Sequence, residues 1–279
     1  MICRSGELKE LGKRYSMHGL LKCRSCGFVF CRQIPSDEEL QAHYKKYPRN
    51  DKISPITIKR YNELLDYFER SRKTNNMLDI GCGDGYFLKE AMKRNWQVYG
   101  VEFTSEAIDI CVSKGIRMHA GVLNESNYSK EQFDVVTSFE VIEHINNPID
   151  EMEKINRLTR KGGLFYVTTP NFNSVSRNIL KEKWNIIEYP EHLSYYTTST
   201  LCKLAKENGF LPVECKTTGL SMDRMRKSSG NVVQQAGSDE DIREKVEAVW
   251  YYKLVKNSIN YLLTVFGKGD SLKAVFQKT

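Results

Sequence analysis

The chain has 279 residues, 40% hydrophobic and 28% charged, which suits a soluble globular protein with a substantial core and excludes a fibrous or disordered one. No apolar run reaches the roughly 18 residues of a membrane span, and the opening MICRSGELKELGKR lacks a secretory h-region, so a cytoplasmic location is expected. The net charge of +7 lies wholly in residues 1–75, with 16 Lys/Arg against 9 Asp/Glu, while residues 76–279 balance at 26 each; so modest an excess reads as a solvated basic surface rather than a nucleic-acid footprint.

The first 31 residues hold Cys3, Cys23, Cys26 and Cys31, four of eight cysteines. In a cytoplasmic chain these are thiols or metal ligands rather than disulfides. LLKCRSCGFVF has the form of a metal knuckle, a C-x-x-C-G turn between two short strands. A full zinc ribbon needs a second pair. Cys3-x-x-Gly6 looks like the latter half of one, whose other cysteine would fall before Met1. The expectation is a degenerate ribbon, with structural zinc on Cys3, Cys23 and Cys26 and with Cys31 or His18 as substitute ligands. The alternative is a loosely folded arm with free thiols. Cys82, Cys111, Cys202 and Cys215 sit in apolar segments and read as core.

Ser36 and Glu39 form a capping box opening a helix through SDEELQAHYKKY. The arm and this linker helix take up residues 1–48, and residues 49–279 form the main domain. KISPITIKRYNELLDYFERS predicts an amphipathic helix with Ile58, Tyr61, Leu64, Leu65 and Phe68 on its apolar side. From residue 77 strands and helices alternate: MLDIG, then YFLKEAMKRN; QVYGVE, then SEAIDICVSKG; IRMHAG; FDVVTSF, then a helix through NPIDEMEKINRLTRKGG; and LFYVTTP. The pattern means an α/β fold with a doubly wound parallel sheet. TTSTLCKLAKENG is a further helix, and FLPVECKTTG and SLKAVFQK are late strands. A helical insertion over 221–267 separates that last pair. Its apolar face would pack on the domain, cover a substrate as a lid, or lie on a membrane surface.

Gly81, Gly83 and Gly85 follow the first strand of the alternating region and precede its helix, where missing side chains let the backbone approach a ligand. Asp79 stands before the first glycine. Asp84 inside the turn would repel a pyrophosphate. Glu102 ends the next strand, placed to accept hydrogen bonds from two ribose hydroxyls. A sulfonium cofactor without phosphate suits this acidic loop. Further on, FEVIEHINNP places Glu140, Glu143 and His144 at i, i+3 and i+4, on one face if the segment is helical. Such a trio could be metal ligands, a proton relay or a solvated first turn.

Together LDIGCGDGYFL, VYGVEFTSEAI, FDVVTSFEVIEHINNP and GGLFYVTTPN resemble, in order and spacing, the class I S-adenosylmethionine-dependent methyltransferases, over about residues 75–220. The resemblance implies a Rossmann-like seven-stranded sheet of order 3-2-1-4-5-7-6 with strand 7 antiparallel. It also implies that Asp79, Gly81 and Gly83 hold the methionine end of S-adenosyl-L-methionine and Glu102 its ribose. Phe103 would pack near the adenosine, Val122 and Leu123 would border the adenine, and Phe139 and Glu140 would sit beside the methyl group. The knuckle and PEHLSYYT are similar to features of ubiquinone-biosynthesis-type O-methyltransferases and of relatives encoded for making surface polysaccharides. E-x-x-E-H resembles the divalent-cation site of that group, so Glu140, Glu143, His144 and His192 are candidate ligands for Mg²⁺, Mn²⁺ or Zn²⁺. Without metal, His192 or His144 is the candidate general base. His18, His43 and His119 have no such setting. Trp184, Tyr189, Tyr195 and Tyr196 would form an aromatic acceptor pocket or belong to the core, and Asn171 would orient an acceptor hydroxyl or shape its turn. The function expected is methyl transfer to a hydroxyl of a small molecule or glycan precursor. The alternatives are RNA 2′-O-methylation and a non-catalytic cofactor-binding scaffold.

Overall fold

The computed structural model describes residues 2–36, 39, 40, 43, 53–220 and 250–279. Most of the helix expected after Ser36 and residues 221–249 of the expected insertion lie outside them. The capping box itself is present: Glu39 N donates to Ser36 Oγ at 3.2 Å and Ser36 N to Glu39 Oε2 at 2.9 Å.

Seven strands form the main sheet: β4 (Asn76–Ile80), β5 (Gln97–Glu102), β6 (Arg117–Ala120), β7 (Phe133–Phe139), β8 (Thr159–Pro170), β10 (Phe210–Thr218) and β11 (Ser271–Lys278). Their order is β6-β5-β4-β7-β8-β11-β10, with β11 antiparallel to both neighbours. This is the expected 3-2-1-4-5-7-6 arrangement. Because side chains alternate across a strand, adjacent residues sort to opposite layers. Leu78, Val136 and Phe165 enter one core, under helices Pro148–Leu158 and Thr198–Glu207. Met77, Val135 and Tyr166 enter the other, with Leu65 and Phe68 of α1 (Pro55–Phe68) and Phe87 and Leu88 of α2 (Tyr86–Met92). Among the described residues no helix is long and apolar enough to cross a membrane.

The helix expected through residue 163 ends at Leu158, and the chain enters β8 at Thr159. Arg160 is drawn into the sheet because its guanidinium meets the fully buried Asp134 carboxylate, which also accepts 2.8 Å bonds from Lys73 N and Asn75 N. Burial works against the Asp134 charge, but Arg160 and these amides outweigh it and hold the carboxyl below its ordinary range. A carboxylate so depressed contributes stability above its unfolded pKa that is lost as pH falls through the folded value. Asp134→Ala leaves Arg160 charged and buried, so a loss of about 3–5 kcal/mol is expected, measurable by urea unfolding. A loss below about 1 kcal/mol would show the pair to be dispensable.

A second sheet joins β1 (Leu8–Glu10), β2 (Leu20–Cys23) and β3 (Val29–Cys31) to β9 (Ser194–Tyr195). Its small core combines Tyr15, Leu20, Val29 and Cys31 with Phe172, Trp184, Leu193 and Tyr195. Three of the four aromatics expected at an acceptor pocket are therefore core: Trp184 is 1%, Tyr195 4% and Tyr196 0% exposed. Their apolar surface is already covered by the N-terminal strands, and only Tyr189 stays open, at 38%. Asn171 is likewise structural. Its amide donates to Gly267 O at 3.0 Å and Gly269 O at 2.7 Å, tying the exit of β8 to the approach to β11.

Candidate active site

The site lies outside the carboxyl ends of β4, β5 and β7, where a parallel sheet opens a crevice. Gly81 leaves β4 with φ 66°, and a Cβ there would stand 2.4 Å from the Val141 side chain. The glycine thus lets the first loop lie directly against the chain leaving β7. Gly85, at φ 73°, precedes α2, and a Cβ on it would strike Ile116 and Cys111.

Asp79 is 2% exposed and accepts a 2.7 Å bond from Thr137 Oγ1. Burial pushes its carboxyl up to about 7, against the Thr137 hydrogen bond and with help from the Glu102 charge. Glu102 organises the loop: Gly83 N donates to Oε2 at 2.9 Å, and Phe103 N and Thr104 N donate to Oε1 at 2.7 and 3.2 Å. Oε1 is thereby filled, while Oε2 accepts only the Gly83 bond and keeps a lone pair that a ribose hydroxyl could use. Phe139 packs among Tyr61, Phe87 and Tyr166. Phe103 is 37% and Val122 70% exposed, whereas the Leu123 side chain is in the core. Tyr61 was marked by the sequence only as helix packing. Its hydroxyl is pushed up to about 12, by burial first and by the Asp79 charge second, and its ring packs on Phe87 and Phe139.

Beyond β7 the expected one-faced helix does not form. Glu140 adopts φ 53° and is exposed, and only a 3₁₀ turn follows, Ile142–His144. The left-handed residue breaks the helical repeat, so Glu140 points away from its neighbours' cluster while its N–H donates to Thr168 O at 3.0 Å. Glu143, His144 and His192 do converge, offering ligand atoms within 4.8 Å of one another. Glu143 is 2% exposed and accepts a 3.0 Å bond from Thr169 Oγ1, and its carbonyl accepts from Leu193 N at 2.9 Å. That backbone bond carries the distant PEHL segment onto the 3₁₀ turn that follows β7. His192 Nδ1 lies 2.7 Å from Ile186 O, so Nδ1 holds the proton and Nε2 is the basic nitrogen.

His144 has Nδ1 2.7 Å from Glu191 O and Nε2 3.1 Å from Glu140 O. A neutral imidazole carries one proton, so only one of these contacts is a hydrogen bond. Burial lowers the His144 pKa, while the Glu191 carbonyl and charge oppose that shift. His43 also arrives here, with Nε2 3.5 Å from Glu191 Oε2. The sequence offered no sign of this, because the contact spans almost 150 residues. His18 and His119 stay outside, His18 against Glu182 O at 3.1 Å and His119 against the Tyr128 ring at 4.8 Å.

A separate cluster unites Cys3, Cys23 and Cys26. Burial opposes ionisation of Cys23, yet hydrogen bonds from the Cys26 backbone and from the Cys3 and Cys26 thiols hold it at about 7; burial pushes Cys26 up to about 12. The suggested substitutes are elsewhere. Cys31 Sγ is engaged with His192 O at 3.4 Å, and His18 with Glu182.

A family model described as a methyltransferase domain matches residues 52–214, more than half of the chain. Ubiquinone biosynthesis O-methyltransferase of Aeromonas salmonicida is 25% identical over 148 residues, covering 48% of this chain and 62% of that protein. The chain therefore spans under two thirds of that relative. The enzyme of the same name from Nitrosospira multiformis is 25% identical over 197 residues, 64% of this chain and 78% of its own. Among solved structures, a phosphoethanolamine N-methyltransferase 2 of Haemonchus contortus in complex with S-adenosyl-L-methionine superposes with a TM-score of 0.56 at 16% identity, over 90% of this chain and 61% of that one. A sarcosine dimethylglycine methyltransferase from Galdieria sulphuraria gives 0.54 at 14%, over 80% and 85%. With the expected strand order, the glycine loop and these matches in place, the chain belongs to the methyltransferase domain family and has the fold of its S-adenosylmethionine-dependent members.

Proposed function

We propose that this protein transfers the methyl group of S-adenosylmethionine to a hydroxyl of a small molecule. The observation that carries the reading is the meeting of Glu143, His144 and His192 just beyond β7, in the same turn region as Val141, whose side chain lies against Gly81 of the glycine loop. Asp79 would take the ammonium of the methionine moiety, Glu102 the ribose hydroxyls, and Phe103 one face of the adenosine. The acceptor oxygen then attacks the methyl carbon in line. A C–O bond forms as the C–S bond breaks, the sulfonium leaves as neutral thioether, and, with no cation held at the cluster, the hydroxyl proton passes to His192 Nε2. Holding two reactants in that line is itself worth several orders of magnitude in rate.

The donor set also fits a divalent cation. A carboxylate and two imidazoles converge, and His144 Nε2 faces a carbonyl in a contact that a proton or cation would relieve. Glu143, His144 and His192 would hold it, and such an ion supplies Lewis acidity that lowers the pKa of a bound hydroxyl. The curated relatives named for ubiquinone biosynthesis favour a ring hydroxyl, and a sugar hydroxyl of a glycan precursor is the second acceptor class.

Calorimetry with S-adenosylhomocysteine is the test, followed by a methyl-transfer screen over catechol and sugar acceptors. Glu102→Gln should weaken binding roughly 10- to 100-fold, the worth of one or two charge-assisted hydrogen bonds. A folded protein that binds no S-adenosylhomocysteine would overturn the reading.

A further inference from the structure

We propose that Cys3, Cys23 and Cys26 hold a zinc ion that clamps the N-terminal strands to the methyltransferase core and, through β3, sets the position of His192. The proposal is independent of the methyl acceptor. The thiols of Cys3 and Cys23 are 3.5 Å apart, and all three sulfur atoms lie within 4.8 Å of one another. Ligands about 2.3 Å from one tetrahedral ion stand about 3.8 Å apart, close to the Cys3–Cys23 separation. The turn between the last two is built for it. Cys23 N donates to Phe28 O at 2.9 Å, Gly27 N to Cys23 O at 3.0 Å, and Gly27 takes φ 77°.

The Cys3 loop is brought to this turn independently. Arg24 N donates to Glu7 O at 2.8 Å, the Ser5 and Ser25 hydroxyls are 2.8 Å apart, and Leu8 pairs with Cys23. Three thiolates around Zn²⁺ carry one net negative charge, and Lys203 is close enough for its charge to interact with Cys3 and Cys26. A cavity of about 320 Å³ opens beside Cys3, lined also by Ile2, Arg4, Ile149, Glu207 and Asn208. Thiolate donors select zinc over magnesium or manganese.

The consequence reaches the active site. Ile2 is 1% exposed within the main core, so the metal fixes the chain on both sides of Cys3. From Cys26 the strand continues into β3, where Val29 pairs with Tyr195, Phe30 with Ser194, and Cys31 N donates to Leu193 O at 2.8 Å. The residue before Leu193 is His192. Zinc binding deprotonates the thiols, so up to about three protons leave as the ion enters.

The test uses the full chain. Metal analysis should find about one zinc per chain, and cobalt replacement should give a thiolate-to-metal charge-transfer band. Cys23→Ser and Cys26→Ser should each cut occupancy at least tenfold, whereas Cys111→Ser, in the core on the opposite face of the main sheet, should leave it unchanged. Chelation of the wild-type protein, which avoids any folding defect of a variant, should speed amide exchange in β2, β3 and β9 while β4 and β5 stay protected. Absence of both zinc and a cobalt charge-transfer band would overturn the proposal. So would unchanged exchange of β9 on chelation.

Discussion

Asp79→Asn is expected to abolish S-adenosylhomocysteine binding and, at the same time, to stabilise the empty protein at about pH 8 by roughly 2–4 kcal/mol. Both effects have one cause. The carboxyl is 2% exposed, and burial pushes it up to about 7. Between the unfolded value, about 4, and about 7, the folded protein keeps a proton that the unfolded chain has released. Stability therefore falls as pH rises through that window. Asparagine has no charge to desolvate and retains an oxygen for the Thr137 hydroxyl, so its melting temperature should not show that fall. Function asks the reverse, because an ammonium ligand selects the ionised carboxylate. Cofactor affinity should drop as pH is lowered below about 7, and binding there should release a proton, visible as a calorimetric heat that varies with buffer ionisation enthalpy. A variant that binds S-adenosylhomocysteine like wild type would remove Asp79 from the cofactor site.

Glu143→Gln should lower kcat by about 100- to 1,000-fold, within the usual range for loss of acid–base or electrostatic assistance, while changing S-adenosylhomocysteine affinity less than about threefold. Glutamine has the same shape and can still accept from Thr169 Oγ1, 3.0 Å from the carboxylate. The bond from Leu193 N to the Glu143 carbonyl is untouched. What disappears is a buried carboxyl group beside two imidazoles. Single-turnover kinetics with the acceptor, set beside cofactor calorimetry on the same sample, separates the two effects. If added Mg²⁺, Mn²⁺ or Zn²⁺ raises the wild-type rate but not that of the variant, the cluster acts through the cation. A rate insensitive to metals in both assigns the work to His192 or His144. Full activity of the variant would exclude the cluster from catalysis.

The strand, glycine loop and acidic strand end of the proposed cofactor half are legible along the chain because these parts are local. A strand, a glycine turn and a helix lie within Asn76–Met92, and Glu102 ends the next strand. The sheet order was carried by the same βα repeat, since parallel strands joined by right-handed crossovers admit few arrangements. The acceptor half was legible only in composition. FEVIEH marked the place, but its helical reading failed at Glu140, where one left-handed residue turns the side chain out of the cluster. Local propensity could not show it, because the conformation is imposed by β8 through the Thr168 carbonyl.

The aromatic run from Trp184 to Tyr196 illustrates the same limit. An aromatic stripe reads alike whether it faces a ligand or a core, and here Trp184 and Tyr195 pack with the N-terminal strands, Tyr196 enters the main core and Tyr189 stays open. The sequence by itself determined which residues are apolar, where glycine frees the backbone, and which carboxylates end which strands. Tertiary structure alone decided what meets across long stretches of chain: His192 with Glu143, His43 with Glu191, Tyr61 with Phe139, and Cys3 with Cys23. Those encounters depend on how the sheets pack, and no periodicity along the chain encodes them.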